Sequence, residues 1–186
     1  EYCEEKDYRM LFIDTEIYGA IQILAKLNQK LQERIDYACV NNLTDLMFLI
    51  NSREKEDEVL VIDSISPLNR FALEALRREI LEGELRLYGI RYKLTQEDIR
   101  NLLFSEWGFT ILKEFAINRE RESIETIVGR DYKVIACTVR LYRPSGKNAL
   151  EVCSLWDIEF YFDVTLRTGK TGKKLQKIEG REDIVP

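Results

Sequence analysis

The chain has 186 residues, of which 33% are charged and 45% hydrophobic, with a formal net charge of −5; this suits a single domain spanning 1–186 that buries roughly 70% of its unfolded surface and excludes a strongly basic nucleic-acid module. There is no histidine, which removes Ser-His-Asp and Cys-His catalysis, and Cys3, Cys39, Cys137 and Cys153 are too scattered for a zinc site, a redox pair or a disulfide framework. No apolar run approaches the ~20 residues that span a membrane and the first residues do not read as a signal peptide, so the expectation is an intracellular protein, cytoplasmic (nuclear if eukaryotic), with no membrane partner.

In chain order, Arg9-Met-Leu-Phe-Ile-Asp-Thr-Glu16 is an apolar run ending in acid, the mark of a strand buried on both faces and so of a parallel sheet. Ile17, Ala20, Ile21, Leu24, Leu27 and Leu31 then recur at helical spacing and predict an amphipathic crossover helix. A short strand follows over 36–40, and Asn41 or Asn42 caps a helix over about 43–51. Glu58-Val-Leu-Val-Ile-Asp-Ser-Ile-Ser66 repeats the strand-then-acid pattern, and right-handed crossovers place these strands in one sheet with helices over its faces. A long charged helix is predicted over 69–88 with Leu73, Leu76, Ile80 and Leu87 as its apolar stripe, ended by Gly89. Helical signals over 95–104 and 110–124, separated by Trp107 and Gly108, read as a helical insertion at 90–125. Strands over 132–139, 158–166 and 173–179 complete the sheet, the last two as a hairpin around 168–172.

In an open α/β sheet the ligand site lies outside the carboxyl ends of the strands, which brings Asp14, Glu16 and Asp63 to one edge. Asp63 there has two readings: it orients a metal-bound water, or it is a turn or N-cap residue. Glu16 is a water-orienting base or a first-turn acid beside the helix dipole, while Asp14 reads as structural. Gly169-Lys-Thr-Gly-Lys-Lys174 contains the end of a phosphate loop, but strand-like segments flank it, so a tight hairpin turn is the better account. Arg140, Arg143 and Lys147 lie in a Gly/Pro-bearing segment that either meets a DNA backbone or is a solvated loop. Tyr142 beside them has the shape to stack on a base. Trp107 and Trp156 read as core or interface anchors.

The segment 11–16 resembles the strand carrying the water-activating glutamate in RecA/RadA-type recombinases and their KaiC-like relatives, and 59–66 resembles their Walker B strand with its Asp-Ser pair. Tyr132-Lys-Val-Ile-Ala-Cys-Thr-Val139 is similar to the strand before that family's DNA loops, and 155–186 to the closing hairpin of archaeal RadA-like proteins. The resemblance implies an α/β fold with a RecA-like P-loop-type core: a mostly parallel sheet flanked by helices, with a C-terminal antiparallel hairpin. It implies ATP and Mg2+ as cofactors, Glu16 and Asp63 as catalytic residues with Asp63 supporting the metal, and Thr138 at the sensor position. Arg140, Arg143 and Lys147 would then face DNA, and Asp183 and Pro186 would reach towards a neighbouring subunit's nucleotide. The implied protein is a recombinase paralogue acting in DNA recombination or repair. An inactive paralogue that docks on a recombinase partner and a KaiC-like regulatory ATPase are the alternatives.

Two positions depart from the family. Its Gly-x-x-x-x-Gly-Lys-Ser/Thr loop should precede Leu11 by one strand and one helix, and residues 1–10 do not supply it. The expectation is therefore either a further N-terminal part that carries the loop or a fold without the nucleotide site. The family's sensor is often Gln, where this chain has Thr138 and Val139.

Overall fold

The computed structural model describes residues 5–16, 20–53 and 57–139, and the backbone of 141–142, 151–152, 166–167 and 176–177. Its centre is a four-stranded parallel sheet made of β1 (Met10–Asp14), β2 (Ile35–Cys39), β3 (Val59–Asp63) and β6 (Val134–Cys137), in the order β2-β1-β3-β6. β1 and β3 are short apolar runs because both of their faces have cover: Met10, Phe12 and Val61 are half-buried on one face, and on the other Leu11, Ile13, Leu60 and Ile62 are fully buried. Each such side chain contributes about 1.5–3 kcal/mol relative to exposure. The α/β class, the parallel sheet and the flanking helices agree with the sequence reading.

Between β1 and β2 the sequence periodicity predicts one crossover helix, and the described part of the connection instead holds two short ones, α1 (Ile21–Leu24) and α2 (Gln29–Gln32). Asn28 divides them. Its extended backbone and its side chain, which accepts from Leu31 N at 2.9 Å, make it an N-cap and restart the helix. After β2, α3 (Leu43–Arg53) buries Leu43, Leu46 and Ile50, and after β3, α4 (Leu68–Leu81) buries Leu68, Phe71, Ala72, Leu76 and Ile80. The chain moves one way along the sheet from β1 to β2 and the other way from β2 to β3 and on to β6. Right-handed crossovers then put α1 and α2 on one face and α3, α4 and the later helices on the other, in keeping with the packing of α4 against α3.

Helix α4 stops earlier than its stripe suggests. Gly83 has φ +80°, a backbone that L side chains rarely adopt, and the chain leaves the helix there. A hairpin, β4 (Glu84–Leu87) and β5 (Ile90–Lys93), takes the place of the last two turns of the expected helix. Helix α5 (Gln96–Phe104) starts on a capping box between Thr95 and Asp98. Ser105 then caps α6 (Glu106–Val128), which packs along α4 and α5. Trp107 and Gly108 thus sit inside α6 and do not separate two segments. A Cβ on Gly108 would lie 2.1 Å from the Asn101 carbonyl oxygen, so only glycine allows the two helices this approach.

Strands β7 (Leu141–Tyr142) and β8 (Glu151–Val152) form one antiparallel pair, and β9 (Leu166–Arg167) and β10 (Gln176–Lys177) another. The second pair is the antiparallel C-terminal hairpin. Among the described residues it is a two-stranded sheet of its own. The chain divides into two compact units, 1–156 and 157–186.

Candidate functional site

The register aligns Asp14 of β1 with Asp63 of β3, so the acidic strand ends lie side by side at the carboxyl edge. The main chain continues the ladder past the strands: Thr15 N donates to Asp63 O at 3.0 Å, and Thr138 N donates to Ile62 O at 3.0 Å. Residues just beyond three neighbouring strands are thereby held in place by backbone hydrogen bonds, as a rigid support for side-chain chemistry requires.

Hydroxyl groups hold the two outer acids one by one. Ser64 Oγ lies 2.6 Å from Glu16 Oε1 and donates to it. Thr15 Oγ1 donates to the Ser64 carbonyl and accepts from Ser64 N at 3.0 Å, clasping β1 to the cis peptide between Asp63 and Ser64. On the other side of β3, Thr138 Oγ1 donates to Asp63 Oδ1. Glu16 and Asp63 are only partly buried, whereas Thr15 and Ser64 beneath them are buried. The edge therefore presents two carboxylates to solvent on a buried hydroxyl base.

Asp14 does different work. It is buried, and its carboxylate accepts from Glu16 N at 2.9 Å, Ala20 N at 3.2 Å and Tyr37 Oη at 3.0 Å. Three donors satisfy a charge that would otherwise be costly to bury. Asp14 is thus a structural pin that fixes Glu16 and the start of the crossover, as its position in the sequence suggests.

Of the residues named from the sequence, Glu16, Asp63 and Thr138 converge at this edge. Arg140, Arg143, Lys147, Asp183 and Pro186 lie outside the described residues. Thr15 and Tyr37 were not singled out by sequence reasoning, and Ser64 only as the second member of the Asp-Ser pair. Hydroxyl residues directly after an acid-terminated strand were the available signal for Thr15 and Ser64, while the Tyr37 contact depends on a register that the sequence does not display.

Among the described residues no group of three or more acids, cysteines or histidines could hold a metal unaided. The donor set does fit a magnesium ion that arrives with phosphates. That ion takes one or two carboxylates, keeps several waters and completes its shell with phosphate oxygens. Burial pushes the Cys137 thiol up to about 12, so it is protonated at neutral pH. Among the described residues, no helix is long and apolar enough to cross a membrane. Compared with protein-family models and with curated proteins, the chain matches none.

Proposed function

We propose that this chain is a RecA/RadA-like recombinase paralogue acting in DNA recombination or repair, and that the carboxyl edge of its sheet is a nucleotide-hydrolysis edge. One observation carries the reading: at the ends of adjacent strands Glu16 and Asp63 are each held by a hydroxyl, Glu16 by Ser64 and Asp63 by Thr138, and Ser64 follows Asp63 directly in the chain. Magnesium-ATP, when bound, supplies the electrophilic phosphorus and its charge neutralisation. In this reading Glu16 orients a water, its carboxylate held by the Ser64 hydroxyl, and Asp63 holds a water of the ion, its carboxylate held by Thr138. ATP binding is conditional on a phosphate loop ahead of Glu1, since residues 1–10 carry none. Where no such loop exists, the sheet serves a mediator that docks on a recombinase; exposed Phe104, Trp107 and Phe109 at the α5–α6 corner favour this second reading. A KaiC-like regulatory ATPase without a DNA role is the third.

The test is an equilibrium titration of the full-length protein with magnesium-ATP, followed by single-stranded DNA at several salt concentrations. Saturable ATP binding that weakens in Asp63→Ala, with DNA affinity falling steeply as salt rises, supports the recombinase paralogue. ATP binding without DNA binding favours the regulatory ATPase. Absence of both, in a protein carrying the phosphate loop, sinks the hydrolysis edge.

A further inference from the structure

The β4–β5 hairpin is a two-stranded ribbon that the sequence pattern conceals and that the hydrolysis edge does not use. Tyr88 and Gly89 form its two-residue turn, with φ of +50° and +77°, the left-handed pair of a type I′ turn. Its register pairs Leu87 with Ile90, Arg86 with Arg91, Leu85 with Tyr92 and Glu84 with Lys93. Directly opposed residues share a face. Leu85, Leu87, Ile90 and Tyr92 therefore line one face, and Glu84, Arg86, Arg91 and Lys93 the other.

Strand β4 is anchored by buried Leu85 and packs on α4. All four residues of β5 are exposed. Leu94 N donates to Gly83 O at 2.8 Å, so Leu94, Tyr92 and Ile90 point their backbone groups towards β4. By alternation, the N–H and C=O of Arg91 and Lys93 point away from β4, along an edge with which no strand pairs among the described residues. Beside that edge, Ile90 is 56% exposed, Tyr92 45% and Tyr88 at the turn 70%. The opposite face carries three cations against one acid, Glu84, which lies 3.4 Å from Arg91. This positive excess stands in a chain of net charge −5.

We propose that the free edge of β5 binds an extended acidic peptide as a third strand, with acidic side chains alternating towards Arg86, Arg91 and Lys93 and apolar ones towards Ile90 and Tyr92. Main-chain hydrogen bonds to Arg91 and Lys93 supply affinity, and the two faces of the ribbon select the alternation. The charges choose this occupant over others. A second copy of β5 would bring Arg91 and Lys93 against their own counterparts, and opposed like charges are destabilising. A nucleic acid needs cations and stacking aromatics on one side, whereas here they occupy opposite faces. A strand of alternating chemistry meets both.

The experiment titrates the full chain into a fluorescein-labelled octapeptide alternating glutamate with valine or isoleucine, read by anisotropy. A lysine-for-glutamate peptide and a thymidine oligonucleotide serve as competitors. Arg91→Pro removes one outward N–H and one cation at an edge position where proline is tolerated. It should weaken the acidic peptide by about tenfold or more, with circular dichroism reporting that the fold persists. The double variant Arg91→Glu, Lys93→Glu leaves the backbone untouched and should exchange preference to the lysine peptide. Absence of saturable binding, affinity unchanged in Arg91→Pro, no exchange in the double variant, or displacement of the acidic peptide by the oligonucleotide at equal concentration would each overturn the proposal.

Discussion

The two ends of the parallel sheet are both rich in acid and handle it in opposite ways. At the amino edge, Asp36 and Asp57 are paired with arginine. Arg9 reaches Asp36 at 2.9 Å, Arg53 bonds the same carboxylate, and Arg53 Nε lies 3.0 Å from Asp57, whose side chain is 0% exposed. At the carboxyl edge, Asp14, Glu16 and Asp63 accept from hydroxyls and backbone amides. Arginine neutralises a carboxylate and closes it to other ligands. A hydroxyl or amide orients a carboxylate and leaves its charge in place. The amino edge is built as a lock and the carboxyl edge as a socket.

The largest expected effect tests the lock. Arg53→Met strands the Asp57 carboxylate in a dry site and should cost about 3 kcal/mol in a urea unfolding titration, the scale for removing one partner of a buried pair; a loss under about 1 kcal/mol would mean that Asp57 is not held as a buried anion. Next comes the pin of the socket. Asp14→Asn replaces one acceptor oxygen with a donor facing Glu16 N, Ala20 N or Tyr37 Oη and should cost about 2 kcal/mol by the same titration.

A smaller effect separates the two locked acids by pH. The hydrogen bond from Arg9 holds Asp36 below the usual carboxylate value of 3.8. Its stabilisation is therefore present above 3.8 and is lost as pH falls through the lower folded value. Burial raises Asp57 above 3.8, outweighing Arg53, so its contribution has the opposite sign and declines as pH rises through the raised value. Asp36→Asn should flatten the acid limb of a stability-versus-pH curve and Asp57→Asn should steepen it; identical curves for both variants would contradict the assignment. The smallest effect on folding belongs to the two partly exposed acids of the socket. Asp63→Asn and Glu16→Gln keep an acceptor oxygen for Thr138 and Ser64, and each should change stability by under about 1 kcal/mol while removing the thermal shift produced by magnesium-ATP in a protein that binds it.

The socket was more legible in the sequence than the lock. Leu11-Phe-Ile-Asp14 and Val59-Leu-Val-Ile-Asp63 announce buried parallel strands and where each ends, because a strand covered on both faces has no polar position until it leaves the sheet. The lock depends on Arg9, Asp36, Arg53 and Asp57 meeting across three segments, and charged residues flanking strands look the same whether paired or solvated. The hairpin escapes the sequence pattern for another reason. Leu87 continues an aliphatic stripe from α4, and leucine and arginine favour helix locally. The signals that prevail are Gly83 and the Tyr88-Gly89 turn, with Leu85, Leu87, Ile90 and Tyr92 in strict alternation around it.

Ser105 both ends α5, its N–H donating to Asn101 O at 3.3 Å, and begins α6, its hydroxyl accepting from Gly108 N at 2.9 Å. Two helices that share one junction residue, with Gly108 pressed against the last turn of α5, have no slack dihedrals between them. The corner therefore behaves as a welded elbow and not as a hinge: any tilt of α5 must carry α6 and, through it, α4 on the flank of the sheet. Phe104 and Trp107 ride on that elbow at fixed spacing, so a partner that covered them would pay nothing for loop ordering.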